Sequence, residues 1–146
     1  LRFIMNDLME INLKSRTLPE LLREHIDRVN MQDPYQKLQI EYQIDFTFEF
    51  KFEKALHIYR IFQEVISNAH KHSNATMLKI QVAERANLIE FIFKDNGDGF
   101  NSGQLMLSNA GIGLTNIIFR TEMLEGKHTI NSEKNKGTEI ILKIPK

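Results

Sequence analysis

Four side chains in the middle of the sequence have the types and spacing for phosphate and metal chemistry: Glu64, Asn68, Lys71 and His72. They fall in a helical pattern that runs from Lys54 to His72. At about 100° per residue, with Glu64 as zero, Asn68 lies near 40°, Lys71 near −20° and His72 near 80°. The apolar Ile58, Phe62, Val65 and Ala69 gather between roughly 100° and 160° on the same scale. One face therefore buries. The neighbouring face lines up a carboxylate, a carboxamide, an ammonium and an imidazole within about two turns. An amide and a carboxylate oxygen suit a hard divalent cation such as magnesium. A lysine beside them suits a phosphate. An ordinary solvated helix face has the same composition, so this helix alone does not decide.

A second cluster is Asp95-Asn96-Gly97-Asp98-Gly99-Phe100, directly after a strand pattern at Ile89 to Lys94. Its two glycines permit unusual backbone and close approach of a ligand. A tight turn is the plainer reading. A calcium loop is excluded: its third and fifth ligand positions would be Gly97 and Gly99, and Met106 stands where the closing glutamate belongs. A third cluster is Gly111-Ile112-Gly113, expected just before a helix. Such an entry offers free amide N–H groups and a positive dipole end to a phosphate. The dinucleotide fingerprint fails, because Asn116 takes the place of its last glycine. No G-K-[S/T] occurs, so a Walker-type loop is excluded.

These clusters need a frame. Leu1, Ile4, Met5, Leu8 and Met9 keep helical spacing without a starting cap, as the tail of a helix would. A helix is expected over Leu18 to Met31, with Thr17 as N-cap, Pro19 in the first turn and Glu20 as an early acid. Asp33-Pro34 ends it. Strands are expected over Lys37 to Asp45, Met77 to Ala83, Leu88 to Lys94, Lys127 to Ser132 and Thr138 to Ile144. Arg85-Ala86-Asn87 and Asn135-Lys136-Gly137 are the hairpin turns. Phe46, Phe48, Phe50 and Phe52 alternate, so this stretch is either a strand or an irregular entry to the next helix. Asp95 to Ala110 reads as loop and Gly113 to Leu124 as helix. This order predicts an α+β fold, a two-layer sandwich with a mixed sheet packed on helices, not a doubly wound parallel sheet.

Composition agrees. A chain of 146 residues, 42% hydrophobic and 26% charged, makes one globular domain plus at most a short appendage. Nineteen basic and nineteen acidic residues cancel, so bulk charge gives no reason to expect nucleic-acid binding. The absence of cysteine removes disulfides, thiolate zinc sites and cysteine nucleophiles. No apolar run is long enough to span a membrane, and no signal peptide opens the chain. The first residue is Leu, which suggests a fragment of a longer protein.

Taken together, the three clusters resemble the N, G1 and G2 boxes of histidine kinase ATP-binding domains: Glu64-x-x-x-Asn68 with Lys71-His72, then Asp95 to Phe100, then Gly111-Ile112-Gly113-Leu114. Gly137-Thr138-Glu139-Ile140 and Pro145 resemble the family's closing strand. Arg60-Ile61-Phe62-Gln63-Glu64 and Asn68-Ala69-His70-Lys71-His72 resemble the subclass of nitrate-responsive and desaturase-controlling sensor kinases. The superfamily also holds gyrase, chaperone and mismatch-repair ATPases. The likeness covers about residues 18 to 146.

The resemblance implies a Bergerat-type α/β sandwich that binds ATP with magnesium. It implies Asn68 and Glu64 near the metal, Lys71 on phosphates and His72 beside the nucleotide, these four forming the catalytic set. It implies Asp95 on the adenine amino group, with Gly97 and Gly99 leaving room for the base. Gly111, Gly113 and Leu114 would shape the hinge of a lid at Asn101 to Ala110, and Thr138 would reach the adenine. Leu105 to Leu107 would anchor that lid, or simply pack. Family members often carry an arginine in or after the lid, and Arg120 is the only arginine of its helix.

The implied reaction is γ-phosphoryl transfer to a histidine on a dimerisation domain, for relay to a response regulator. An acceptor histidine should be followed by an acid, and none of the five histidines is: His25, His57, His70, His72 and His128. Residues 1–14 are expected to be the tail of the dimerisation helix and 15–146 the kinase domain. The chain should bind ATP without phosphorylating itself. The resemblance implies a cytoplasmic domain, no nucleic-acid partner and no insertion of this fragment in a membrane, whether or not the parent protein is anchored. Competing readings are another ATPase or serine kinase of the superfamily, or a non-catalytic nucleotide- or partner-binding module. The short lid and the Lys71-His72 pair favour the kinase over the other ATPases, the Gln63-Glu64 box and the helical lead-in favour it over the serine kinase, and the intact boxes favour it over the non-catalytic module.

Overall fold

The computed structural model describes residues 9, 10, 12–101 and 109–146. Residues 9, 10 and 12–15 are helical; the rest of the expected leading helix lies outside the described residues. Eight elements follow. They are α1 (Leu18–Gln32), β1 (Gln39–Asp45), α2 (Phe52–Lys71), β2 (Met77–Glu84), β3 (Leu88–Asp95), α3 (Asn109–Met123), β4 (Lys127–Ser132) and β5 (Thr138–Pro145).

Local chemistry sets the boundaries. Thr17 and Glu20 form a reciprocal capping box at the start of α1, with Pro in its first turn. Past its end, the Asp33 carboxylate accepts from the Tyr35 and Leu38 amides and turns the chain toward β1. The Arg85-Ala86-Asn87 hairpin forms as expected, closed by the Arg85 amide donating to the Leu88 carbonyl. Asn135 and Gly137 both take positive φ in the β4–β5 turn.

The sheet order is β1-β2-β3-β5-β4. Only β1–β2 is parallel, joined through α2; the other pairings are antiparallel. This is the mixed, helix-covered α+β sheet that the element order predicts. Period-2 alternation directs Leu78, Ile80, Val82, Ile89, Phe91, Phe93, Ile140, Leu142 and Ile144 to one buried face. Onto it α2 lays Ala55, Ile58, Ile61, Phe62, Val65, Ile66 and Ala69. Phe62 contacts Phe91 and Phe93 edge-on, at centroid separations of 6.0 and 5.0 Å.

The outer side of β1 is closed by α1. The Asn30 side chain bonds both the amide and the carbonyl of Ile40, each at 3.0 Å, and Arg23 donates to the Ile44 carbonyl at 2.7 Å. The side chains thus stand in for a missing neighbouring strand.

Of the two alternatives for residues 46–51, the structure takes the irregular entry to α2; despite their alternation they form no strand. Phe46 is buried, and Phe48 and Phe50 pack edge-on against each other. The Thr47 amide bonds the Glu84 carboxylate instead of a strand partner. One expectation is corrected, and it concerns α3. It already runs from Asn109, so Gly111 and Gly113 lie inside the helix and not in a loop before it. At the other end, Asp95, expected to open the loop, still belongs to β3.

Candidate functional site

Cross-strand register builds one wall of the site. Cα partners share a face, so Leu78, Asp95, Thr138 and Ser132 form one row across the end of the sheet. The rows before it are apolar on this face: Ile80, Phe93, Ile140 and Ile130 come next. Polarity therefore begins where the sheet ends, on the side that faces the helices. Asp95 is half-buried. Burial pushes its carboxyl above the usual aspartate range, against the opposing pull of backbone N–H bonds from Gly97 and Thr138. The Gly97 bond, at 2.8 Å, folds the loop back under the carboxylate.

The residues directly after β3 are pinned by their neighbours. Asn96 accepts from the Thr76 and Met77 amides and donates to the Thr76 hydroxyl, all at 2.9 Å. The Asp98 amide donates to the Ser73 carbonyl at 2.6 Å, and the Asn74 side chain to the Asp98 carboxylate at 2.8 Å. Asp98 in turn receives the Asn135 amide. A β-carbon on Gly97 would meet Ser73, and one on Gly99 the Glu133 carbonyl. The Gly99 φ of +62° adds backbone strain for any other residue. What fills the space beside these glycines is the protein's own backbone, a tertiary reason beyond the expected room for a base.

The second wall is α2 against α3. A β-carbon on Gly113 would stand 2.6 Å from the Asn68 Oδ1. The first and third sequence clusters therefore touch: the Asn68 carboxamide fits where Gly113 has no side chain. Glu64, one turn earlier, and Asn68 are half-buried, while Lys71 and His72 are exposed at the end of α2, where the His72 amide bonds the Asn68 carbonyl. Gly111 is buried and its carbonyl accepts from the Thr115 hydroxyl at 2.8 Å. Leu114 is buried in the hydrophobic core and fastens α3 to it.

Residues 102–108 of the expected lid, Leu105 to Leu107 among them, lie outside the described residues; Asn109 and Ala110, expected at its end, belong to α3. Arg120 is half-buried, its guanidinium 3.1 Å from the His57 Nδ1. His57 precedes Asn68 by eleven residues, about 16 Å along α2, so in this arrangement Arg120 is far from the metal side of the site.

Two residues escaped the sequence reading. The Ser132 hydroxyl lies 2.8 Å from the Thr138 hydroxyl, bonds the Gly137 carbonyl and accepts from the Phe100 amide. Counting register across the Asn135 turn pairs Ser132 with Thr138, and that was the available signal. Ser73 couples α2 to the loop after β3: its hydroxyl donates to the Ala69 carbonyl, and its own carbonyl accepts from Asp98.

Among the described residues no three His, Cys, Asp or Glu side chains are grouped to hold a metal alone. One carboxamide and one carboxylate on a helix face fit an ion that keeps its waters and shares them with phosphates, as magnesium does.

The polar groups of the site are thus a half-buried acid in the last row of the sheet and the amide, acid and lysine of α2. The chain belongs to the family described as histidine kinase-, DNA gyrase B- and HSP90-like ATPases, whose profile matches residues 53–146. Within it the chain falls with the histidine kinases. It is 36% identical over 96 residues to the signal transduction histidine-protein kinase/phosphatase DegS of Bacillus subtilis, covering 65% of this chain and 24% of DegS. It is 29% identical over 145 residues to the sensor histidine kinase LiaS of the same organism, covering 99% of this chain and 39% of LiaS. The chain thus spans well under half the length of these relatives. In fold it resembles the histidine kinase domain of the blue-light-activated kinase of Erythrobacter litoralis, with a TM-score of 0.74 at 18% identity, covering 88% of this chain and 61% of that one. The ATP-binding domain of PrrB from Mycobacterium tuberculosis is also similar, with a TM-score of 0.69 at 18% identity over 89% of this chain and 94% of that one. Among the described residues no helix is long and apolar enough to cross a membrane.

Proposed function

We propose that this chain binds ATP with magnesium between the end of the sheet and the α2–α3 pair, and presents the γ-phosphoryl group to a histidine on a separate dimerisation domain. The observation that carries the reading is the seating of Asn68 against Gly113, which closes α2 onto α3. Asp95 accepts from the adenine amino group; guanine carries an acceptor at that position and is refused. Thr138, on the same row, supplies a hydroxyl toward the base. Gly97, Gly99, Gly111, Gly113 and Leu114 keep the loop and α3 packed close around the nucleotide. Asn68 and Glu64 hold magnesium with its waters, and Lys71 and His72 stand at the mouth for the phosphates. Magnesium, when bound, supplies neutralisation of charge on the phosphate oxygens. The protein's part is positioning and electrostatics.

A phosphorylated partner is proposed because no histidine of the chain precedes an acid. Exposed apolar side chains on α3 support docking: Ile112, Phe119 and Met123 are 64%, 56% and 52% exposed and fall on one stripe. A response regulator would receive the phosphoryl group from that partner. A cytoplasmic site of action follows from the need for ATP.

The test is calorimetric titration with ATP, with and without magnesium, followed by transfer to an added histidine-bearing helical domain. Asp95→Asn is expected to weaken ATP by at least about tenfold, the scale of a charge-assisted hydrogen bond. Asn68→Ala should abolish the magnesium dependence. Stable radiolabel on a histidine of this chain itself would overturn the partner reading.

A further inference from the structure

We propose that His57 is a positioning residue: through Arg120, its imidazole holds α3 at the register that seats Gly113 on Asn68. The inference rests on reading that seat as part of a nucleotide site.

Along α2, His57, Ile61, Glu64 and Asn68 fall within about 60° of one another, so they form one stripe. On α3, Gly113 and Arg120 are seven residues apart and share a face. The helices therefore meet at two polar points, Asn68 on Gly113 at one end and His57 on Arg120 at the other. Between these points Ile61 on α2 and Ile117 on α3 are buried and apolar, and the half-buried Glu64 lies next to Asn68 on the α2 stripe. Apolar packing is non-directional and tolerates small slides. A hydrogen bond between a rigid ring and a planar fork does not.

The chemistry also fixes the protonation state. A guanidinium has only donors, so the His57 Nδ1, 3.1 Å from Arg120, must hold a lone pair. The imidazole is then neutral, with its proton on Nε2. Protonation removes the acceptor and sets a second positive charge against Arg120. Burial first, and the Arg120 charge second, hold the His57 pKa below the ordinary histidine value. Among the described residues Arg120 is the charged group acting on the ring. Of the charges near His57 on α2, Lys54 pairs with Glu125 at 3.9 Å, Arg60 bonds Gln63 at 2.9 Å, and Glu53, one turn earlier, stands exposed at the start of the helix. His25 sits on Tyr59, on another face of α2.

The experiment follows the Gly113 amide by nitrogen-15 NMR from about pH 8 to about pH 5, the range that brackets histidine, with magnesium-ATP affinity measured in parallel. The Gly113 resonance is expected to move with the His57 ring titration, at a midpoint below that of an ordinary histidine. ATP affinity should fall by about tenfold over the same interval, the scale of one lost charge-assisted bond. His57→Gln keeps an acceptor that cannot be protonated; it should bind ATP as the wild type does at the alkaline end and hold that affinity on acidification. His57→Leu should bind weakly at every pH. A Gly113 signal indifferent to His57, or an equal acid-side loss in His57→Gln, would overturn the proposal. Gly113 tracking His57 in a chain that binds no ATP at any pH would uphold the coupling and sink the nucleotide reading instead.

Discussion

Asp95 is an expensive residue to hold where it is. Burial raises its pKa, so the native state binds its proton more tightly than the unfolded chain does. The favourable contribution is present below the usual aspartate range and is lost as pH rises through the folded value. At neutral pH the ionised group works against stability, and a buried acid of this kind marks a candidate binding site. Asp95→Asn removes the charge yet leaves an oxygen for the Gly97 amide. Its melting temperature at neutral pH is expected to equal or exceed that of the wild type, while ATP binding collapses; a clear drop in melting temperature would contradict the account. Gly113→Ala tests the opposite wall. The atoms its β-carbon would meet are the far end of the Asn68 side chain, which can swing away. A folded protein with little change in melting temperature and impaired magnesium-ATP binding is expected, read by calorimetry. Asp95, Asn68 and Gly113 were legible as types at spacings. The reason Gly113 must lack a side chain was not, because Asn68 reaches it only through the packing of two helices far apart in sequence. The His57–Arg120 contact was hidden for the same reason.

At the scale of elements, the capped helix α1 and both hairpins could be read directly, since their signals are local: a capping box, and turn residues that accept positive φ. The start of α3 could not. Glycine disfavours helix by about 1 kcal/mol relative to alanine, which argues against a helix through Gly111 and Gly113. Packing on α2 outweighs that preference. The stretch after β1 left a strand and an irregular entry both open, for alternation makes a strand only when a neighbour offers a ladder, and here the Glu84 carboxylate takes the Thr47 amide instead. The exposed α3 stripe has its own consequence. Phe119→Glu should leave ATP affinity unchanged while reducing phosphorylation of an added histidine-bearing domain. Equal loss of both would place Phe119 in the fold and not in docking.

Over the whole molecule, the end of the chain is tied to the first half by one carboxylate. Glu84 accepts from Lys146 at 2.8 Å and from the Thr47 amide at 2.8 Å. The Lys146 bond, chiefly, and then the Thr47 amide push the Glu84 pKa down to about 2. A depressed carboxyl contributes stability above its unfolded value and loses it as pH falls through the folded one. Glu84→Gln should therefore melt lower than the wild type at neutral pH, and the gap should close as pH approaches about 2. A gap that stays constant from neutral pH to acid would exclude the charge as its cause.

The side chains that α1 sends to the outer flank of β1 guard against a hazard separate from catalysis. With Asn30 and Arg23 in place, the Ile40 and Ile44 backbone offers no free row of donors and acceptors to a stranger. An unguarded strand of this kind invites a second molecule to add itself, and then a third. Versions of the protein trimmed to begin after α1, or carrying Asn30→Ala with Arg23→Ala, should therefore fail by fibrillation, visible as thioflavin fluorescence growing with concentration, before their nucleotide site is lost.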